Sequence, residues 1–123
     1  MPDQLRVLVV DDNRDGADSM AMLLSLLGHD AHVAYDGETG LASALSLQPH
    51  VVMLDIGLPK LDGYEVCRQI RQQPASEAVC MIAVTGWGDE AAKQRIHEAG
   101  FDHHFVKPVD PDLLITTLSA LQA

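Results

Sequence analysis

Basic residues and long apolar runs are both scarce in this sequence. Eight lysines and arginines stand against eighteen aspartates and glutamates, which gives a formal net charge of −10. Because a nucleic-acid backbone is bound through clustered Lys and Arg side chains, this balance argues against direct DNA or RNA binding. No apolar run approaches the roughly 18 residues of a membrane-spanning helix, and the first residues lack a signal-peptide pattern. We therefore expect a cytoplasmic protein with no membrane-inserted segment.

Cysteine is scarce as well, and nothing in the sequence marks a second domain. Cys67 and Cys80 lie too far apart for a Cys-x-x-Cys motif, and each falls within an apolar pattern. These positions favour buried free thiols. The sequence contains no internal repeat, low-complexity tract or Gly/Ser-rich linker, and its 123 residues are enough to bury one core. We therefore expect residues 1–123 to form a single domain.

Short apolar runs alternate regularly with segments of helical spacing. The first run, LRVLVV, is rich in β-branched residues and is typical of a strand buried on both faces. Because each return to a parallel strand requires a right-handed crossover, the alternation predicts a doubly wound α/β sheet covered by helices on both faces. The five predicted strands cover residues 5–10, 31–35, 50–54, 78–84 and 103–106. The five predicted helices cover residues 13–27, a segment from Leu41 that ends near Pro49, a segment from Tyr64 that stops before Pro74, residues 89–100, and a segment from Pro111 through Leu121 with Asp110 as its N-cap.

Polar residues follow the predicted strands at their carboxyl ends, where ligands bind in sheets of this kind. Asp11 and Asp12 follow the first strand, and Asp55 follows the third. Carboxylates at about 4 Å repel by several kcal/mol at an effective dielectric near 20, so a cation is expected among them. Oxygen donors alone favour Mg²⁺, with Mn²⁺ as a substitute. With a Thr85 hydroxyl and a Lys107 ammonium after later strands, the set suits phosphoryl transfer to Asp55 as nucleophile.

Four motifs carry a resemblance to a known family. VLVVDDN, VVMLDIGLPKLDG, AVTG and FVKPVD, in this order and spacing, resemble the receiver domains of two-component response regulators over essentially the whole chain. The resemblance implies a flavodoxin-like fold with five helices and the strand order 2-1-3-4-5. The stretch from TGWGDE to GFDHHFVKPVDPDLL is most similar to receivers attached to hybrid sensor histidine kinases.

The resemblance also implies a phosphoacceptor and a metal site. Asp55 is expected to accept a phosphoryl group from a phosphohistidine on a sensor histidine kinase or a histidine phosphotransfer protein. Asp12, Asp55 and the backbone carbonyl of Gly57 are expected to ligate Mg²⁺, with Asp11 acting mostly through a bound water.

Further roles follow from the same resemblance. Thr85 is expected to bond one phosphoryl oxygen and Lys107 another, and Thr85 is also expected to act as a switch residue. The peptide bond from Lys107 to Pro108 is expected to be cis, since X-Pro bonds tolerate that form. Gly86 is expected to keep the space over Asp55 open.

The sequence departs from the family at the switch position. His104 lies three residues before Lys107, where the family usually has a Tyr or Phe that rotates on activation. The family's readout surface, formed by the fourth helix, fifth strand and fifth helix, is expected to contact a downstream protein. An imidazole at the switch position suggests that coupling between phosphorylation and this surface depends on pH near neutrality. His103 and His104 point to opposite faces of a strand, which argues against a shared metal ion. Trp87 has three open interpretations: shielding an acyl phosphate from water, contacting a partner, or anchoring its loop.

Three other functions are compatible with parts of this sequence. Haloacid-dehalogenase-like phosphatases place the nucleophile after the first strand as Asp-x-Asp, whereas here an acidic pair comes first and Asp55 is followed by Ile and Gly. We therefore expect a protein that assists its own phosphorylation and dephosphorylation, but no multiple-turnover enzyme. The first turn, DDNRDG, lacks the glycine pattern of a dinucleotide or flavin binder. A degenerate receiver used only for docking is the remaining alternative.

Overall fold

The structure is a computed structural model that describes residues 3–58, 61–74, 78–86, 88 and 90–122. Five strands alternate with five helices along this chain, as predicted. The elements are β1 (Arg6–Val10), α1 (Arg14–Leu26), β2 (Asp30–Ala34), α2 (Gly37–Leu47), β3 (Val51–Asp55), α3 (Gly63–Arg71), β4 (Cys80–Thr85), α4 (Glu90–Ala99), β5 (His103–Val106) and α5 (Pro111–Gln122).

The strands form one parallel sheet in the order β2-β1-β3-β4-β5, which confirms the predicted flavodoxin-like fold. Every residue of the two strands β3 and β4 is buried, which explains their almost continuous apolar sequence. Helices α1 and α5 pack on one face of the sheet, and α2, α3 and α4 pack on the other. Within the described residues, no helix has both the length and the apolar character needed to cross a bilayer.

Most element boundaries differ from the predictions by one or two residues, but α2 begins at Gly37, four residues before the predicted segment from Leu41. β4 begins at Cys80 rather than at 78, and Asp55 and Thr85 are the last residues of their strands rather than the first residues beyond them. They remain in the sheet because the register still pairs Asp55 with Val84 and Thr85 with Val106. The predicted start of the fourth helix at residue 89 lies outside the described residues.

The helix caps explain where the helices begin. The side chains of Asn13, Asp36 and Asp62 each accept a hydrogen bond from a backbone N–H three residues further on, at the starts of α1, α2 and α3. Asp110 accepts from the N–H of Asp112, so the predicted cap of α5 is also present. Three Asx caps thus follow the carboxyl ends of β1, β2 and β3, where the chain leaves the sheet.

The two cysteines are buried and form no disulfide, as predicted. Burial raises the pKa of the Cys67 thiol and of the Cys80 thiol to about 11 in each case. Both side chains therefore stay protonated at neutral pH and act as small core residues.

The start of α3 lies directly against the end of β3. A Cβ atom at Gly63 would lie 2.7 Å from the carbonyl oxygen of Asp55 and 2.9 Å from the Cα of Ile56. Both of these are backbone atoms, so they cannot move aside as a side chain can. The absence of a side chain at Gly63 therefore permits the start of α3 to pack directly against the backbone of Asp55 and Ile56.

We expect Gly63→Ala to destabilise the protein by about 1 to 3 kcal/mol, because the added methyl group must push the α3 start away from β3. Urea denaturation measures this loss. Gly16→Ala is the matched control, since a Cβ at Gly16 meets nothing closer than 3.6 Å and an alanine there stabilises a helix by about 0.4 to 1 kcal/mol. Equal stabilities of the two variants would contradict the close-packing argument.

A buried histidine anchors the chain just before β1. The Nδ1 atom of His29 accepts a hydrogen bond from the backbone N–H of Leu5 at 3.1 Å. Burial lowers the pKa of His29 below its ordinary value of 6.5. The contribution of His29 to stability is therefore complete above pH 6.5 and is lost as the pH falls below that value, because the unfolded chain binds the proton more readily.

We expect His29→Asn to lose less stability than the wild type when the pH is lowered from 7.5 to 5.5, since an amide oxygen accepts the Leu5 bond without titrating. The measurement is urea denaturation at the two pH values. His103→Asn, which changes an exposed histidine of β5, should lose as much as the wild type. A parallel loss in all three proteins would exclude this role of His29.

Candidate functional site

Three carboxylates meet at the carboxyl edge of the sheet. One oxygen each from Asp11, Asp12 and Asp55 lies within 4.8 Å of the others. The sheet explains this convergence: β1 and β3 are neighbours, and Val10 pairs with Leu54, so the residues that come next lie side by side. Asp12 is exposed, Asp11 is half-buried, and Asp55 is 9% exposed.

One ammonium group contacts two carboxylates of this acidic cluster. The Nζ of Lys107 lies 3.1 Å from Oδ2 of Asp55 and 3.3 Å from Oδ2 of Asp11. Lys107 follows β5, and its backbone N–H donates to the carbonyl of Thr85 at 2.7 Å, which ties the segment to the end of β4. The peptide bond from Lys107 to Pro108 is cis, as predicted.

The electrostatics of the cluster follow from its burial and crowding. Burial raises the pKa of Asp11, and the nearby Asp55 raises it further. The backbone N–H of Asn13 donates to Asp11 Oδ1 at 3.0 Å and opposes this increase. Burial alone would lower the pKa of Lys107, but the hydrogen bond and charge of Asp55, together with the charge of Asp11, outweigh it and raise the pKa. Lys107 is therefore held in its charged form beside carboxylates that repel one another.

The turn after β3 fixes the orientation of the Asp55 carboxylate. Its Oδ1 accepts a hydrogen bond from the backbone N–H of Gly57 at 2.9 Å, while its Oδ2 faces Lys107. The sequence interpretation named Gly57 for its carbonyl and missed this N–H donor. An Asp followed two residues later by a glycine is a signal for such a turn. The carbonyl of Gly57 as a ligand stays a prediction.

A threonine and a histidine lie in contact beside the cluster. Thr85 is buried, and its Oγ1 lies 2.6 Å from Nε2 of His104. A Cβ atom at Gly88 would lie 3.8 Å from Cε1 of His104, in ordinary van der Waals contact with the ring. His103 is exposed and His104 is half-buried, as expected for neighbours on opposite faces of a strand. The sequence named both Thr85 and His104 as switch residues but did not anticipate their direct hydrogen bond.

The remaining candidate residues have simpler surroundings. A Cβ atom at Gly86 would meet no atom within 4 Å, so the space there is open. Trp87 lies outside the described residues, and its three interpretations stay open. A cleft of about 570 Å³ lies beside the carboxylates. Its lining includes Asp11, Asp55 and Lys107, together with apolar side chains of α1 and of the segment after β5.

The donor set at this edge fits a hard divalent cation. It consists of carboxylate oxygens that are close enough to share one ion and that repel one another without it. Among the described residues no cysteine or histidine belongs to the cluster, which disfavours zinc.

Comparison with known proteins decides the family. The family model described as "Response regulator receiver domain" matches residues 7–119 of this chain. The chain belongs to this family. Receiver domains are signalling domains that interact with histidine kinases or phosphotransfer proteins and bind Mg²⁺ at an acidic pocket.

Individual relatives agree with this assignment. The "DNA-binding dual master transcriptional regulator RpaA" of Synechocystis is 33% identical over 116 residues, which cover 94% of this chain and 48% of that protein. "Protein PilH" of Pseudomonas aeruginosa is 32% identical over 118 residues, covering 96% of this chain and 98% of the relative. The chain thus spans about half the length of regulators such as RpaA, but almost the whole of PilH.

Solved structures show the same fold. A putative response regulator from Chloroflexus aurantiacus superposes with a TM-score of 0.89 at 28% identity, covering 97% of this chain and 98% of that one. Chemotaxis protein CheY4 of Vibrio cholerae also reaches 0.89, at 26% identity and with 95% and 98% of the two chains covered.

We expect Lys107→Met to lower the free energy of unfolding by about 1 kcal/mol at pH 7 and low salt, because the clustered carboxylates lose their internal counter-charge. The folded protein already binds a proton at Asp11 more tightly than the unfolded chain does, so stability falls as the pH rises above the ordinary value of 3.8. The variant should extend this fall to higher pH. Its deficit should therefore be small at pH 4 and largest at pH 7.

Lys93→Met is the matched control for this experiment. Lys93 pairs with Glu90 at 3.6 Å on the exposed surface of α4, where such pairs contribute little to stability. Denaturation of both variants across pH 4 to 7 gives the comparison. A Lys107→Met deficit that does not change with pH would contradict the proposed charge balance.

Proposed function

We propose that Asp55 is the phosphoacceptor of a phosphorelay and takes its phosphoryl group from a phosphohistidine. The observation that carries this proposal is the environment of Asp55: a largely buried carboxylate at the end of β3, 3.1 Å from the Lys107 ammonium and grouped with Asp11 and Asp12. Family membership supports the same reading, because receiver domains are phosphorylatable signalling domains.

Four residues of the chain take part in the proposed transfer of the phosphoryl group. An oxygen of Asp55 forms the new bond to phosphorus while the bond from phosphorus to the donor imidazole breaks, and the imidazole leaves with its electron pair. The Gly57 N–H and Lys107, each on a different oxygen of Asp55, hold the carboxylate for this attack. Lys107 then pairs with one phosphoryl oxygen, and the Thr85 hydroxyl donates to another.

A magnesium ion belongs to this proposal. Asp12, Asp55 and the Gly57 carbonyl would ligate it directly and Asp11 through a water, with Mn²⁺ as a substitute. When bound, Mg²⁺ supplies positive charge to the phosphoryl oxygens. The contribution of the chain is the oxygen cluster itself. Burial and the neighbouring Asp55 raise the pKa of Asp11, and the crowding of carboxylates favours binding of a cation.

The cleft beside the carboxylates is the route by which we propose that a donor reaches Asp55. The donor is a sensor histidine kinase or a histidine phosphotransfer protein. Exposed apolar side chains at Val106, Leu113 and Ile115 support a downstream protein contact through α4, β5 and α5. The net charge of −10 supports a function without direct nucleic-acid contact.

We also propose a single domain over residues 1–123, located in the cytoplasm and most similar to receivers of hybrid sensor histidine kinases. The core clusters on the two faces of the sheet draw on all ten elements, which supports the single domain. The kinase subtype rests on the TGWGDE and FDHHFVKPVDPDLL sequences alone.

We expect incubation with acetyl phosphate and Mg²⁺ to add one phosphoryl group to the wild type and none to Asp55→Asn, because the amide lacks a nucleophilic carboxylate oxygen. Intact-protein mass spectrometry measures the addition. Asp15→Asn, which changes an exposed acid of α1 outside the cluster, is the matched control and should react as the wild type does. Chelation of the metal should suppress the reaction in both reactive proteins.

Two other outcomes would exclude the proposal. Multiple-turnover release of phosphate from a generic phosphoester would identify a phosphatase of the haloacid-dehalogenase type. A complete lack of phosphorylation by acetyl phosphate and by phosphohistidine donors would leave a docking module.

A further inference from the structure

The Thr85–His104 contact joins the candidate site to the strand where the family usually has a Tyr or Phe. Thr85 Oγ1 lies 2.6 Å from His104 Nε2, and the threonine is only 1% exposed. A Cβ atom added at Gly88 would lie 3.8 Å from Cε1 of the ring, at ordinary van der Waals distance. The imidazole is thus held where Nε2 and the hydroxyl share one hydrogen bond.

The direction of this bond depends on the protons of the imidazole. A threonine hydroxyl has one proton to donate, whereas it can accept bonds through its lone pairs. If Nε2 carries no proton, the ring accepts and the Thr85 proton is directed at His104. If the ring is a cation, both of its nitrogens are donors, so Thr85 must accept the bond. The hydroxyl proton of Thr85 is then available to another acceptor.

We propose that His104 is a positioning residue whose protonation turns the Thr85 hydroxyl toward a phosphoryl group on Asp55. This inference rests on the proposed function, because the acceptor that Thr85 would meet is the phosphoryl oxygen. The protonated ring favours the phosphorylated protein, and the phosphorylated protein favours the protonated ring by the same factor, since binding linkage is reciprocal. A neutral ring whose Nε2 carries no proton competes with the phosphoryl group for the hydroxyl proton of Thr85.

A phenylalanine at this position could not have this effect. It has no polar atom to hydrogen-bond with Thr85, and the hydroxyl of a tyrosine titrates near pH 10. An ordinary imidazole, in contrast, loses most of its protons between pH 6 and pH 8. The inferred dependence on pH is therefore specific to the histidine of this chain.

Charged side chains of α4 and of the segment after β5 have partners of their own within the described residues. On α4, Glu90 pairs with Lys93 at 3.6 Å, and Arg95 stacks on an aromatic ring of α3. After β5, Lys107 pairs with the acidic cluster. Within the described part of the chain, Thr85 is the one side chain hydrogen-bonded to the ring. The other titratable side chains of these two elements are exposed: His97, Glu98 and His103.

The first test compares phosphorylation rates of the wild type, His104→Phe and His104→Gln with acetyl phosphate and Mg²⁺ from pH 6 to pH 8. Effects of pH on the donor and the metal are common to all three proteins, so the ratio of wild-type to variant rate is the quantity to examine. We expect this ratio to fall by about fivefold or more as the pH rises. Glutamine keeps polar atoms near Thr85 but cannot titrate, so its own profile should follow that of phenylalanine.

The second test uses no phosphorylation rate and no variant. The imidazole ¹⁵N shifts of His104 in the wild type, recorded at pH 7 with Mg²⁺ alone and with Mg²⁺ and beryllofluoride, report the protonated fraction of the ring. We expect that fraction to increase when beryllofluoride occupies the phosphoryl position. If both variants fail to fold, this measurement alone decides the inference.

The outcomes separate the inference from the proposed function. Phosphorylation of Asp55 with identical pH profiles in all three proteins, or an unchanged protonated fraction, would overturn the role of His104 and leave the phosphoacceptor intact. If the wild type neither becomes phosphorylated nor binds beryllofluoride, the proposed function itself is overturned. If His104 had a packing role alone, its replacement would change the phosphorylation rate by the same factor at every pH.

Discussion

The organisation of this molecule depends on one electrostatic balance, between the Lys107 ammonium and the carboxylates at the end of β1 and β3. The parallel order of the strands forces Asp11 and Asp55 to adjacent positions, and their mutual repulsion would favour protonation or displacement of one of them. The Lys107 ammonium lies 3.1 Å from Asp55 and 3.3 Å from Asp11, so it offsets part of this repulsion. The proposed metal and phosphoryl group both enter into this balance, because each changes the net charge that the ammonium must compensate.

The backbone around the cluster fixes the position and the orientation of the Asp55 carboxylate. Gly57 donates to one oxygen of Asp55, and Lys107 faces the other, so the carboxylate plane is set from two sides. Gly63 allows α3 to contact the Asp55 backbone without an intervening side chain. The core thus determines where Asp55 lies, and the polar contacts determine how it is turned. Residues that contact no phosphoryl group therefore contribute to its proposed transfer.

Much of the fold and the membership of the acidic cluster could be predicted from the sequence. Apolar runs of strand length alternate with helical spacing, and a parallel sheet brings strand ends to one edge, so Asp11, Asp55 and Lys107 had to converge. The hydrogen bond between Thr85 and His104 could not be predicted, because it depends on the rotamer of a half-buried ring on an edge strand. The Gly57 N–H contact comes from the backbone turn after Asp55 and from no polar side chain, so a pattern of polar side chains does not show it.

The separation of the site residues along the chain has a consequence for biogenesis. Lys107 and Asp11 meet although 96 positions separate them, and Lys107 reaches the cluster only when β5 has joined the edge of the sheet. A nascent chain that has not yet emerged as far as β5 holds the acids without their internal cation. Under the proposed function, the chain therefore completes the site for the phosphoryl group only late in its folding.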